Sequence, residues 1–324
     1  MTRTGSGRIH IVQRIDDAAV TELAAAYEVT VGYGPGAVDL DDVIGDIDVL
    51  VVRNIQLDNA VLDRARRLRL IVRAGSGMEG IDVVHARERG VEVVSTGGAN
   101  ARSVAEHVVA LALAVARSVV RWDQIAREGG YGRRDEDPGQ ELFGKRWGVV
   151  GFGQIGREVA QMARDGLGME VVAHVRRPPT EPAVGVEISY DLGTLLETCD
   201  VVSLHVPLTE ETRGMIGPAE IARMRSSAIL VNVARGPVVD ADALLSALER
   251  RAIAGAAVDV WDGPFPDPPH RLYDAPNLVL SPHRGGRTRE ADRAAGVVVV
   301  AHVHEALRPS MSNPMPTSST EKSV

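Results

Sequence analysis

An α/β protein with two parallel sheets, one unit inserted into the other, is the fold class this sequence predicts, and three observations predict it. Apolar, β-rich runs alternate with helix-like stretches almost throughout the chain. A glycine-rich turn, Gly151-Phe152-Gly153-Gln154-Ile155-Gly156, stands mid-chain between the apolar run Trp147-Gly148-Val149-Val150 and a helix-like stretch over 157–167. At 324 residues the chain exceeds a typical single domain, so two separate cores are expected.

In the first third, residues 9–12, 49–52, 70–72 and 91–94 are short apolar runs that read as strands of a first doubly wound sheet. Residues 103–121 carry apolar side chains at helical spacing, with Ser103 placed before Ala105-Glu106. They predict one long helix whose continuous apolarity points to burial at a domain or subunit interface. After the glycine turn come strands at 171–173, 201–204, 229–232, 256–260 and 278–280, separated by helical or loop segments, which make a second doubly wound sheet. The last helix, 288–306, has no strand after it and is expected to cross back to the first unit. The division is therefore 1–101 with 287–308 as a discontinuous domain, and 102–286 as the inserted one. The stretch 309–324, rich in Ser, Thr and Pro with little to bury, reads as a disordered tail.

Apolar residues make up 44% and charged residues 25%, ordinary for a globular protein. The net charge of -8, from 36 basic against 44 acidic residues, gives no support to nucleic-acid binding. Pairs such as Arg66-Arg67 and Arg133-Arg134 read as solvated faces. Cys199 is the only cysteine, so intrachain disulfides and thiolate metal clusters are excluded and no metal is expected; before an apolar run it reads as a small core residue. The most apolar helical run, 108–116, is too short to span a bilayer, and a cytoplasmic enzyme is the simplest expectation.

The glycine turn carries the first chemistry. Its strand before and helix after are what a dinucleotide site requires: Gly151 permits the tight turn, Gly153 lets backbone N–H groups approach a pyrophosphate, and Gly156 allows close helix packing. Gln154 and Ile155 open the helix beneath the phosphates. The next strand ends where an acid would grip the ribose of NAD, yet the chain reads Val175-Arg176-Arg177. A missing carboxylate and two arginines suit the extra phosphate of NADP(H), which is favoured over NAD(H). Both arginines could instead be solvated on a surface loop.

Three further clusters follow: residues 199–209, including His205-Val206-Pro207; Val231-Asn232-Val233-Ala234-Arg235-Gly236; and Ser281-Pro282-His283-Arg284-Gly285-Gly286. With the glycine turn, in this order and spacing, the chain from about Val49 to Val300 resembles the D-isomer-specific 2-hydroxyacid dehydrogenases. That family includes phosphoglycerate, glyoxylate/hydroxypyruvate and formate dehydrogenases. The resemblance implies a Rossmann domain inserted into a discontinuous flavodoxin-like substrate domain, a cleft between them, and usually a homodimer. It also implies NAD(P)-dependent oxidoreduction of a small 2-oxo or 2-hydroxy acid.

By that resemblance Arg235 holds the carboxylate and carbonyl of a 2-oxo acid, a task suited to a planar guanidinium fork. His283, at the C-terminal end of the 278–280 strand where open α/β sheets place ligands, is the general acid in reduction. Asp259 contacts the nicotinamide carboxamide, or else caps a turn. His205, Val206, Pro207, Thr212, Val233, Ala234, Gly285 and Gly286 line the cofactor by the same resemblance. In the first domain Gly75-Ser76-Gly77 offers an anion-binding nest for the substrate carboxylate. Arg53 matches a position that in some members reaches the substrate's distal group, against the alternative of an ordinary surface arginine. Residues 100–107 resemble the segment that enters the interdomain helix and lines the cofactor, or are simply a helix start.

One departure limits the carry-over. Family members normally carry a glutamate before a proline, where it pairs with the histidine and favours its protonated form. Counting on from Arg235, that place falls on Pro264, and residues 259–267 hold no glutamate. Either Asp262 or Asp267 substitutes from a shifted loop, Asp262 being preferred, or His283 works without a carboxylate, or proton transfer is not part of the reaction. Reduction of a glyoxylate- or hydroxypyruvate-like substrate ranks first. Oxidation of an unusual small anion, as by formate or phosphite dehydrogenases, and a nucleotide-sensing binding protein resembling corepressors of this fold are the alternatives.

Overall fold

The computed structural model describes residues 7–75, 77–78 and 80–308, so the expectations placed on Ser76 and on 309–324 lie outside the described residues. The chain divides into two compact units. One draws on both ends, up to Ala99 and from Asp292 onward, and the other is Asn100–Ala291.

The first unit holds five parallel strands, β1 (Arg8–Ile11), β2 (Glu28–Val31), β3 (Val49–Val52), β4 (Leu70–Arg73) and β5 (Glu92–Ser95), in the order β2-β1-β3-β4-β5. The central strands β3 and β4 are buried along their whole length, which is why they read as unbroken apolar runs rather than alternating ones. Helices α1 (Asp17–Ala26), α2 (Leu40–Val43), α3 (Asn59–Arg64) and α4 (Val83–Glu88) each begin after an aspartate. The carboxylates of Asp16, Asp39, Asp58 and Asp82 accept first-turn N–H groups, a cap contributing about 1 kcal/mol each. The C-terminal helix Arg289–Ala306 returns here: Val299, Val300 and Val303 are buried with Ile9, Ile11 and Leu23.

The second unit holds seven parallel strands: β6 (Arg146–Val150), β7 (Glu170–His174), β8 (Glu187–Ser189), β9 (Val201–Leu204), β10 (Ile229–Asn232), β11 (Gly255–Val258) and β12 (Leu278–Leu280). Their order, β12-β11-β10-β9-β6-β7-β8, reverses between β6 and β9, and the C-terminal ends of that pair are where an open α/β sheet places its ligand. One face is covered by α5 (Ala101–Ala116) and α7 (Gln154–Gln161), and α6 (Val119–Arg127) follows α5. The other packs α8 (Leu192–Thr198), α9 (Pro218–Arg223) and α10 (Ala241–Glu249), with α11 (Arg271–Asp274) leading to β12. Cys199 is fully buried and burial pushes its thiol up to about 11, in keeping with a core residue.

One expectation is corrected. The single helix over 103–121 is two, α5 and α6, bent by 61° at Arg117 and Ser118, where Ser118 takes φ 48. The last carbonyls of α5 are captured from elsewhere: Ala116 accepts the Gln140 amide at 2.8 Å, and Val115 accepts from Ser118 N at 3.1 Å. The buried apolar side chains of α5, Val104, Val108, Leu111 and Val115 among them, pack inside its own unit with Ile229, Val231 and Ala257 of the sheet, while Ala110 is exposed. The expected helical stretch after the glycine turn is present, α-helical to Gln161 and finishing in a π turn, Met162–Gly166. No single helix among the described residues is long and apolar enough to cross a membrane.

Candidate active site

The glycine turn joins β6 to α7 at the switch point. Gly151 takes φ 95, and a Cβ there would lie 2.8 Å from the His205 carbonyl; a Cβ on Gly156 would lie 2.2 Å from the Gly151 carbonyl. Neither position has room for a side chain. At Gly153 a Cβ would meet nothing within 4 Å, and no side chain caps the N-terminus of α7 that begins there. The first-turn N–H groups therefore face open space at the positive end of a helix, a fit for a diphosphate. Gln154 is exposed and Ile155 half-buried at that terminus.

After β7, Val175 donates its amide to Ser189 O at 3.1 Å, while Arg176 and Arg177 stand exposed. Arg176 Nη1 pairs with Glu211 Oε2 at 3.0 Å. Glu211 lies on the loop after β9, which starts with His205, half-buried Val206 and exposed Pro207. The Thr212 hydroxyl donates to Pro207 O at 2.7 Å and accepts Thr209 N at 2.8 Å, so it staples this loop. Burial drives His205 down to about 3, which makes it neutral. Its Nε2 lies 2.9 Å from Ser203 Oγ, an oxygen that also accepts the fully buried Trp147 indole N–H at 2.9 Å. Its Nδ1 is enclosed without a hydrogen-bond partner, a second place where a bound ligand would complete the structure.

The arginine turn is built by a residue the sequence reading did not single out. Buried Asn232 accepts Ala234 N at its Oδ1 (3.0 Å) and donates from Nδ2 to Arg235 O (3.0 Å). The turn holding half-buried Val233 and Ala234 is thus fixed, and Arg235 Nη1 donates back to Ala234 O at 2.7 Å. A Cβ on Gly236 would lie 2.0 Å from the Trp261 carbonyl carbon, so this turn is seated against the Trp261-Asp262 backbone.

Asp259, at the end of β11, organises the histidine turn. Its backbone carbonyl accepts His283 N at 2.8 Å, and its carboxylate accepts Arg284 N (2.8 Å) and Gly285 N (2.9 Å). His283 itself takes φ 54, uncommon for a residue other than glycine and asparagine, and its ring is exposed. From α5, His107 Nε2 reaches Ser281 Oγ at 3.0 Å and Asp259 Oδ1 at 3.4 Å. Burial alone would raise the Asp259 carboxyl; the bonds from His107, Ser281 and the two amides outweigh it and hold the group below its ordinary range. Asp259 therefore caps this turn. The Gly285 amide is taken by that cap, and Gly286 lies close to the Asn100 side chain.

A family model for the D-isomer specific 2-hydroxyacid dehydrogenase NAD binding domain matches residues 109–285. The chain belongs to this family. It is 37% identical over 305 residues to a hydroxypyruvate reductase of Thermotoga maritima, covering 93% of this chain and 98% of that protein. It is also 37% identical over 306 residues to a D-3-phosphoglycerate dehydrogenase of Methanocaldococcus jannaschii, covering 93% of this chain but only 57% of that longer protein. An NADPH-dependent glyoxylate/hydroxypyruvate reductase from Sinorhizobium meliloti, solved with NADP and malonate, has the same fold. Its TM-score is 0.78 at 26% identity, with 93% of each chain covered.

For a member of the 2-hydroxyacid dehydrogenases, the absent glutamate is matched by an absence of contact. Among the described residues no hydrogen bond or ion pair joins exposed Asp262, or Asp267, to His283. In the first unit Arg53 is not an open surface arginine: Nη2 pairs with Asp292 Oδ1 at 2.5 Å, with its side chain 16% exposed. The Gly75 amide is turned to Arg73 O (2.9 Å), and the Gly77 carbonyl accepts from Arg73 Nε (3.1 Å), so one donor of the expected anion nest is committed inside the turn.

Proposed function

We propose that the protein reduces a small 2-oxo acid to its D-2-hydroxy acid with NADPH, a glyoxylate- or hydroxypyruvate-like compound being the favoured substrate. The observation that carries the reading is the histidine turn: an exposed imidazole held at φ 54 by Asp259, in the unit whose glycine turn fits a dinucleotide. When bound, the reduced nicotinamide supplies a hydride to the carbonyl carbon. Arg235 grips the planar carboxylate through paired N–H donors, which fixes the carbonyl and draws electron density toward its oxygen. His283 gives its proton to that oxygen as negative charge develops there, and regains one from solvent through its exposed ring. Arg176 and Arg177 receive the 2′-phosphate, a role supported by their exposure and by the lack of a carboxylate directly after β7, where the chain reads Val175-Arg176-Arg177. Oxidation of NADPH by a panel of 2-oxo acids tests the proposal; no turnover with any of them overturns it.

A second reading is favoured by one observation, that no described carboxylate supports His283. Oxidation of formate or phosphite requires no proton delivered to a carbonyl. Reduction of NADP or NAD by these anions supports it, and their inertness removes it. Homodimerisation rests on the family resemblance alone, and light scattering of the purified full chain decides it.

A further inference from the structure

The loop after β9 carries an acid that the proposed chemistry does not use. Glu211 Oε2 accepts Arg176 Nη1 at 3.0 Å and the hydroxyl of Thr209 at 3.0 Å. That loop is closed by its own bonds: Thr212 Oγ1 donates to Pro207 O, Thr209 N donates to Thr212 Oγ1, and Arg213 N donates to Thr209 O at 3.0 Å. The carboxylate is therefore held in place by a stapled loop, opposite the arginine pair. Both partners remain solvated, with side chains 67% and 71% exposed. A pair so exposed is weak enough for a stronger anion to break.

We propose that Glu211 is a cofactor-specificity residue: it occupies the Arg176 guanidinium that a 2′-phosphate would use, so the phosphate binds only by displacing it. The proposal rests on the reading of Arg176 given above. It makes the loop after β9 a brake on NADP(H) that NAD(H), with a 2′-hydroxyl, does not feel. A phosphate dianion competes well for a guanidinium because it offers more charge and several acceptor oxygens. Two costs oppose it, loss of the existing pair and repulsion from the displaced carboxylate nearby. For exposed groups these together correspond to about a three- to tenfold loss of affinity, smaller at high salt.

The test is titration of the full-length protein with NADPH and NADH, followed by nicotinamide fluorescence, for the wild type, Glu211→Gln, Arg176→Ala and the double variant. Glu211→Gln keeps the side-chain shape and the acceptor for Thr209. It is expected to tighten NADPH about three- to tenfold with NADH changed less than twofold. Arg176→Ala is expected to weaken NADPH alone, and in that background the gain from Glu211→Gln should vanish. If Arg176→Ala weakens NADPH but Glu211→Gln leaves it unchanged, or tightens both cofactors equally, the brake is refuted while the reading of Arg176 stands. If Arg176→Ala leaves the NADPH to NADH ratio untouched, the reading and the brake fall together. A gain that persists undiminished in the double variant also overturns displacement at Arg176.

Discussion

Asp259 and His283 are tied through the backbone, the Asp259 carbonyl accepting the His283 amide at 2.8 Å while its carboxylate takes the amides of Arg284 and Gly285. The position of the imidazole is thus set by a carboxylate that never touches its ring. Asp259→Ala leaves the Arg284 and Gly285 amides without their acceptor and takes one of two partners from His107, and is expected to cost about 2–4 kcal/mol in urea unfolding. Turnover should fall at least tenfold through misplacement of His283. A variant that keeps both stability and turnover shows the cap to be idle. The same bonds hold the Asp259 carboxyl below the ordinary aspartate value, so its stabilisation is present above about pH 4 and is lost as pH falls through the lowered value.

His283→Ala tests proton delivery directly. Turnover should drop about 10²- to 10⁴-fold while the affinity for NADPH is kept, since the ring is exposed and bonds nothing that shapes the turn. Unchanged turnover removes the histidine from its role.

Arg235→Lys keeps the charge but loses the planar pair of donors. We expect KM to rise and kcat to fall together, with kcat/KM reduced by about a hundredfold. A rise in KM alone means that the guanidinium only binds substrate and does not set the geometry of transfer.

Gly153 and Gly156 should respond to alanine in opposite ways. A Cβ on Gly156 would stand 2.2 Å from the Gly151 carbonyl, so Gly156→Ala should lower stability by about 1–3 kcal/mol. A Cβ on Gly153 would meet nothing within 4 Å, so Gly153→Ala should melt like the wild type yet bind dinucleotide more weakly. Unaltered binding by Gly153→Ala places the diphosphate elsewhere.

His205 gives a pH signature. Its native value near 3 lies far below the ordinary 6.5, so the unfolded chain binds a proton that the folded one excludes between those limits. Stability from this group is full above pH 6.5 and falls as pH drops, by about 1.4 kcal/mol per unit once well inside the window. His205→Gln should flatten the slope between pH 6 and pH 4 by about that amount relative to wild type. Burial also lowers His10 and His174, and these shifts remain in both proteins and cancel in the comparison.

What could be read from the sequence follows from where each element lies. Strands buried on both faces, such as Val49–Val52 and Ile229–Asn232, announce themselves as unbroken apolar runs. The edge strands β2, Glu-Val-Thr-Val, and β8, Glu-Ile-Ser, are half-exposed and short, so they carry no such run and went unpredicted. The bend at Ser118 was equally hidden, because the amide of Gln140 that takes the Ala116 carbonyl comes from another segment. Arg235 and His283 stand out in the sequence as candidates because their neighbours form recognisable strings. Of the residues that position them, His107 and Ser281 act through a bond between a helix and a strand end distant in sequence, whereas Asn232 acts within its own turn. A buried asparagine at the end of an apolar strand, as in Val231-Asn232-Val233, was the one local signal available for them.

The C-terminal helix that closes the first sheet has a consequence for biogenesis. Arg69 donates to the Ala306 carbonyl, and Val299 and Val303 share a core with Ile9 and Leu23, so that core needs residues made long after β1 and α1. The unit Asn100–Ala291 is continuous and can complete itself first. At roughly 5–20 residues per second, the apolar face of β1 and α1 waits between about fourteen and fifty-five seconds during synthesis for its cover. During that interval the apolar surface of Ile9, Ile11 and Leu23 stays open to other sticky surfaces.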